Sequence, residues 1–138
     1  MSRRSRARAI ALQVLFQDDL NPGHNPAETD AFLQRRLRSG ELTEFARSLV
    51  AGVRRNRQEL DGLLGKTADN WGLERMAATD RNVLRLGAFE LLYTDTPGPV
   101  VIDEAVDLAK RYGSAHSSQF VNGILDKLLT SHRRSSTT

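Results

Sequence analysis

The first turns of the chain carry its most distinctive candidate chemistry. Four arginines, Arg3, Arg4, Arg6 and Arg8, lie within the first eight residues. Guanidinium groups are permanently charged, planar donors that bind phosphate oxygens in pairs and stack on nucleobases. The N-terminus of a helix favours anions, so cations placed there carry an electrostatic cost. The arrangement therefore indicates an anionic ligand outside the helix that offsets this cost.

An amide and an aromatic ring continue the same helical face. Phe16 falls outside the apolar arc of this helix and shares a face with Arg6, Ala9 and Gln13. A cation can neutralise a phosphate, an amide can read a base edge, and a ring can stack on a base. This combination favours single-stranded RNA. Two alternatives stay open: a solubilising basic end with Phe16 packed under a neighbouring helix, and contact with an anionic membrane or protein.

The elements that must position these residues are helices, because apolar residues recur at helical spacing along the chain. We expect an all-α fold of about seven helices in one domain over 1–130, followed by a disordered polar tail over 131–138. The first helix should bury Ala7, Ile10, Ala11, Val14 and Leu15. The others are expected at 28–38, from Glu41 to a break near Asn56, from that break to Gly65, at 79–93, at 99–112 and through Val121–Leu128.

No residue pattern supports catalysis, a cofactor or a metal. The stretch Gly62–Thr67, GLLGKT, looks like a phosphate-binding loop, but Leu60 occupies the position of the required first glycine and no strand precedes it. His24, His116 and His132 lack the spacing of metal ligands. The absence of cysteine excludes disulfides and fits a reducing cytoplasm. We find no membrane-spanning run and no secretion signal.

Three C-terminal segments give the chain a family resemblance. The stretches DRNVLRLGAFEL at 80–91, VIDEAVDLAK at 101–110 and FVNGILD at 120–126 resemble the NusB family of transcription antitermination factors. The stretches ALQVLF at 11–16 and WGLER at 71–75 agree with that family in order and spacing. The resemblance extends from about Arg4 to Leu128. It implies an all-helical fold of two small packed sub-bundles without catalytic activity.

The family resemblance also implies a function and partners. Proteins of this family bind the boxA element of nascent RNA in ribosomal RNA operon leaders. They act with NusE, a ribosomal protein of the small subunit, and with other Nus factors on RNA polymerase. The complex prevents premature Rho-dependent termination.

Residues matching the family's motifs define the expected sites. Phe16 stands where the family usually has tyrosine, and Phe120 and Asn122 match the motif beside the RNA surface. The complete set of expected RNA-binding residues is Arg3, Arg4, Arg6, Arg8, Gln13, Phe16, Phe120 and Asn122. The residues Glu74, Asp80 and Arg81 lie where the NusE-facing helices of the family fall.

Four positions depart from the family pattern. Ala9 replaces a frequent glutamate and Asp103 a common asparagine, while His116 and Gln119 stand where aspartate and a cation are frequent. These changes affect the expected RNA contacts more than the fold.

Two other functions remain as alternatives. The same helical module resembles the N-terminal RNA-binding domain of certain ribosomal RNA cytosine methyltransferases, which would require this chain to be part of a longer protein. A homodimeric structural protein is the second alternative, since some family members pair through the surface that bears the arginines.

Overall fold

A computed structural model of the protein describes residues 2–69 and 72–136, with side chains up to His132. All regular structure in these ranges is helical, which confirms the predicted all-α class. The elements are α1 (Arg3–Leu20), α2 (Pro26–Leu37), α3 (Gly40–Thr67), a 3-10 turn (Leu73–Arg75), α4 (Ala78–Tyr93), α5 (Gly98–Tyr112) and α6 (Ser117–Ser136). The expected count of about seven helices is too high, because the described ranges contain six α-helices.

The difference in number comes from α3, which continues through Asn56 where we expected a break. Leu49, Val53, Leu60 and Leu64 are buried at intervals that keep them on one helical stripe on both sides of Asn56. An asparagine inside a helix costs only about 0.7 kcal/mol relative to alanine. Burial of the flanking leucines outweighs that cost, so a single polar residue does not end the helix.

The chain divides into two compact units, residues 1–55 and residues 56–138, with the boundary inside α3. We call them unit 1 and unit 2. Two units agree with the two sub-bundles that the family resemblance implies, and a single domain over 1–130 stays a prediction. The expected polar tail, 131–138, begins inside α6, which runs to Ser136, and residues 137 and 138 lie outside the described part of the chain.

In unit 1 the apolar stripe of α1 forms much of the core. Its predicted members, Ala7, Ile10, Ala11, Val14 and Leu15, are all buried. The side chain of Ser2 caps the helix by accepting a hydrogen bond from the backbone N–H of Ser5 at 3.1 Å. The cap starts the helix at Arg3, and the N-terminal arginines therefore belong to an ordered helix rather than a tail.

In unit 2 the centre is α4, in which every residue from Asn82 to Leu91 is buried. Gly87 allows α6 to approach closely, since a Cβ at this position would lie 2.7 Å from Cδ1 of Leu125. Glu90 is 2% exposed, in keeping with the structural role that its place in an apolar helix suggests. The helix is thus a packed scaffold that leaves little surface for a ligand.

Candidate nucleic-acid interface

Helix α1 presents most of the predicted RNA-binding residues of unit 1 to solvent. Arg3, Arg4 and Arg6 are exposed in its first turns, Gln13 is exposed further along, and Phe16 is half-buried. Residues three and four apart lie on the same side of a helix. The exposed side of α1 therefore carries cations at its start and polar and aromatic groups beyond them.

Arg8 differs from its neighbours because its side chain is only 3% exposed. Its guanidinium lies over the ring of Phe45 in α3, with Cζ 5.1 Å from the ring centroid. The guanidinium of Arg4 lies over the same ring at 4.5 Å. Both distances are within the range of cation–π attraction. The two arginines, one helical turn apart, hold α1 against α3, and Arg8 offers little surface to a ligand.

Arg6 contacts the C-terminal end of α2. Its Nη2 donates a hydrogen bond to the backbone carbonyl oxygen of Arg36 at 3.2 Å. That oxygen belongs to the last turn of α2, where carbonyl groups lack helical partners and the helix dipole is negative. The side chain of Arg36 in turn donates to Oε1 of Gln13 at 3.3 Å. Arg6 and Gln13, which were predicted to share a face, are thus joined through Arg36.

Arg3 contacts the segment between α2 and α3. Its Nη2 donates to Oγ of Ser39 at 3.4 Å, and the same oxygen accepts the backbone N–H of Leu42 at 3.3 Å. Ser39 therefore satisfies an N–H group at the start of α3. Because Arg38 at the end of α2 adopts a left-handed backbone with φ of 52°, the chain reverses tightly at this point. The turn brings the end of α2 close to the start of α1.

This geometry adds Arg36, which contacts both Arg6 and Gln13, and beside it in the sequence lie two further exposed arginines, Arg35 and Arg38; the sequence reasoning missed all three. The run QRRLR at 34–38 was the available signal, since it repeats the arginine density of the chain start. We define the arginine surface by its exposed members, Arg3, Arg4, Arg6, Arg35, Arg36 and Arg38. Within residues 2–69 and 72–136, no carboxylate forms an ion pair with any of the six.

The predicted residues of α6 lie in unit 2. Phe120 is half-buried and Asn122 is exposed on the first turns of α6. Two of the four positions that depart from the family pattern, His116 and Gln119, are exposed in the same segment. A base or phosphate could reach the amide of Asn122 and the exposed part of the Phe120 ring.

The predicted partner-binding residues cluster around the start of α4. Glu74 is exposed, and Asp80 and Arg81 are half-buried. Nη1 of Arg81 donates to the carbonyl oxygens of Leu73 at 3.0 Å and Met76 at 3.1 Å. Arg81 therefore fixes the 3-10 turn to α4, while Glu74 remains available to a partner.

Other kinds of site find no support in the described ranges. Among these residues, no three His, Cys, Asp or Glu side chains come together in a way that could hold a metal ion. None of the described helices combines the length and the hydropathy needed to cross a bilayer.

Comparison with known proteins agrees with the geometry. The NusB family model matches residues 5–130. The transcription antitermination protein NusB of Anaeromyxobacter dehalogenans is 47% identical over 128 residues, which are 92% of this chain and 90% of that protein. A T. maritima NusB structure has 36% identity and a TM-score of 0.81, covering 94% of this chain and 92% of that one. A crystal structure of antitermination factors NusB and NusE in complex with dsRNA has 32% identity and a TM-score of 0.82, covering 95% and 98% of the two chains.

Proposed function

This chain belongs to the NusB family, and we propose that its arginine surface binds the boxA element of ribosomal RNA operon leaders together with NusE. It is a transcription antitermination factor and not an enzyme. In our proposal the complex protects nascent ribosomal RNA transcripts from premature Rho-dependent termination in the cytoplasm. The observation that carries the proposal is the exposed arginine surface on a chain of this family.

The available hydrogen-bond donors support binding of a polyanion. Arg3 and Arg6 each use one donor in a long hydrogen bond, of 3.4 and 3.2 Å, and each guanidinium has five N–H donors. The remaining donors of these exposed side chains face water. RNA phosphates would replace water there and release counterions, which supplies much of the affinity of nucleic-acid binding.

The remaining predicted residues would contact the RNA bases or position the arginines that bind the RNA. We assign base contacts to Gln13 and Phe16 in unit 1 and to Phe120 and Asn122 in unit 2. Phe16 can stack on a base without the hydroxyl group that a tyrosine would add. Arg8 would act by positioning, since its buried guanidinium holds the ring that also contacts Arg4.

The partner surface rests on a separate group of residues. We propose that Glu74 and Asp80 face NusE in unit 2, with Arg81 fixing the 3-10 turn that carries Glu74. A related NusB structure was solved in complex with NusE and dsRNA, which supports NusE and RNA as partners. Other Nus factors and RNA polymerase would join through this complex.

The test is a titration of boxA-containing leader RNA and of a scrambled RNA of equal length, at several salt concentrations, with and without NusE. We expect tighter binding of the boxA RNA and a further gain with NusE. Each phosphate that the Arg3→Ala and Arg6→Ala variants no longer neutralise should reduce the log–log salt slope by about 0.7. Arg111→Ala, which removes an exposed arginine in the last turn of α5, is the matched control and should leave the slope unchanged.

Equal binding of both RNAs, or no binding even with NusE, would overturn the proposal. Light scattering with and without RNA distinguishes the remaining alternative. A dimer that dissociates when RNA binds would show that the arginine surface also serves self-association. A dimer that persists and excludes RNA would support a homodimeric structural protein instead.

A further inference from the structure

A cavity of about 320 Å³, lined by both polar and apolar groups, opens in unit 1 between the end of α1, the loop that follows it and the start of α2. Its lining includes Gln13, Gln17, Glu28, Phe32 and the ion pair of Asp18 with Arg54. The volume lies at the lower end of the range of small-molecule sites. Only Gln13 among these residues belongs to the predicted RNA-binding set.

One wall of the cavity is held rigidly. Arg54 donates from Nε and Nη2 to the two carboxylate oxygens of Asp18, both at 2.8 Å, and Nη2 also donates to the hydroxyl of Thr29 at 3.1 Å. The side chains of Arg54 and Asp18 are 16% and 9% exposed. A bidentate pair with this little exposure fixes the end of α1 to α2 and α3 of the same unit. The cavity is therefore a formed feature of the fold.

The charges of the lining favour a neutral occupant. The charges of Arg54 and Asp18 cancel, and the lining also holds the imidazole of His24 and the carboxylate of Glu28. A phosphate would meet this carboxylate and would be repelled, whereas a nucleobase would meet amide groups and a carboxylate that accepts hydrogen bonds from amino groups. The half-buried ring of Phe32 supplies an apolar surface in the same cavity.

Arg36 connects the cavity with the arginine surface. Its guanidinium donates to Gln13 and lies over the ring of Phe32, with Cζ 5.5 Å from the ring centroid. Its backbone oxygen accepts the hydrogen bond from Arg6. A strand whose phosphates contact Arg6 and Arg36 would therefore pass the mouth of the cavity with a nucleotide within reach.

We propose that this cavity binds one unstacked nucleobase of the RNA, of a type that carries an exocyclic amino group. The inference rests on the proposed function, because it takes the strand on the arginine surface as given. Gln17 and Glu28 would hydrogen-bond the edge of the base and Phe32 would contact its face. Protein sites that recognise single-stranded RNA commonly combine such edge contacts with aromatic stacking.

The experiment pairs an abasic scan of the bound RNA with variants of the cavity. In the natural chain, removal of the base that occupies the cavity should weaken binding about tenfold, the loss typical of one stacked base. Phe32→Leu and Gln17→Ala should weaken binding of the intact RNA to a similar extent. In these variants, removal of the base should weaken binding no further. Gln58→Ala, an exposed glutamine of α3 that does not line the cavity, is the matched control and should retain the full abasic effect.

The outcomes separate the two proposals. If the natural chain does not bind the RNA at all, the proposed function fails. The other outcome is that the natural chain binds the RNA, with every abasic substitution weakening binding to Phe32→Leu and Gln17→Ala as much as binding to the natural chain. In that case the cavity is not a base site and the proposed function stands. Thermal melts of each variant check that it is folded, and Gln17→Ala, at an exposed position, keeps the test decisive if Phe32→Leu unfolds the chain.

Discussion

Arginine serves opposite purposes in the two units. In unit 2 the side chain of Arg85 is 5% exposed and binds both oxygens of Asp61, at 2.7 and 3.0 Å, and the amide oxygen of Asn82 at 3.2 Å. In unit 1 the exposed Arg3 and Arg6 each form one long hydrogen bond. Each guanidinium has five donors, and the fold occupies at least three of them in Arg85 but one in each of Arg3 and Arg6.

The comparison shows that an arginine's surroundings decide its role. A buried guanidinium must be fully satisfied, since an unpaired buried charge is very costly. An exposed guanidinium is satisfied by water, which a phosphate can displace. Removing Arg85 should therefore affect stability, whereas removing Arg6 should affect binding.

The largest expected effect is that of Arg85→Ala. Loss of the guanidinium removes the closest cation of the Asp61 carboxylate and the donor to the amide oxygen of Asn82, and we expect the free energy of unfolding to fall by about 3 kcal/mol. This value lies at the low end for buried pairs because Asp61 is 31% exposed. Urea denaturation followed by circular dichroism measures it.

Arg57 provides the control, because it lies 3.9 Å from the same carboxylate of Asp61 but is 44% exposed. Arg57→Ala should cost no more than about 0.5 kcal/mol. Similar losses for Arg57→Ala and Arg85→Ala would contradict the idea that burial sets the contribution.

A smaller effect is expected within unit 1, where Arg4 and Arg8 contact the same ring of Phe45. Arg8→Ala should lower the free energy of unfolding by about 2 kcal/mol, since it removes a desolvated cation–π contact and a buried side-chain stem. Arg4→Ala should cost about 0.5 kcal/mol, because Arg4 is exposed. The same denaturation experiment compares them, and equal losses would show that exposure does not separate the two arginines.

Periodicity alone predicted much of this fold. The apolar spacing in α1 identified Ala7, Ile10, Ala11, Val14 and Leu15 as buried residues, because helical geometry is local. The continuity of α3 was not predicted. We expected a break near Asn56, but the burial of leucines on both sides stabilises the helix by more than the asparagine costs. The sequence did not predict the partner of Arg85 either, because Asp61 lies 24 residues away and only the packing brings the two side chains together.

The sequence also predicted only part of the candidate site, because some of its features are local and others depend on tertiary packing. The exposed arginines of the chain start were visible in the sequence, whereas the burial of Arg8 follows from where Phe45 of α3 lies. The contribution of Arg36 needed the tertiary fold, because it reaches Arg6 and Gln13 from a different helix.

The double variant Arg3→Ala with Arg6→Ala should change the free energy of unfolding by no more than about 0.5 kcal/mol. Two exposed hydrogen bonds are removed, but two cations also leave a helix N-terminus, where they are unfavourable. Thermal and urea unfolding measure the change. A loss approaching that of Arg85→Ala would place these arginines among the structural ones and weaken their assignment to RNA.

The smallest effect concerns Tyr93, an exposed residue of unit 2 that interacts with the carboxylate of Glu59. A hydrogen bond to Glu59 raises the pKa of Tyr93 above its ordinary value, with burial and the negative charge of Glu59 adding in the same direction. The neutral phenol is thus favoured by folding. Its contribution to stability is complete below the pKa of an unfolded tyrosine and is lost as the pH rises through the raised pKa.

A spectrophotometric titration of Tyr112→Phe, in which Tyr93 is the only tyrosine, measures this pKa directly. Adding Glu59→Gln should move the titration of Tyr93 to lower pH, because the neutral amide no longer repels the phenolate. An unchanged titration would show that Glu59 does not control Tyr93. Adding Arg6→Ala instead should leave the curve where it was, since Arg6 contacts the end of α2 and is not among the groups that shift the pKa of Tyr93.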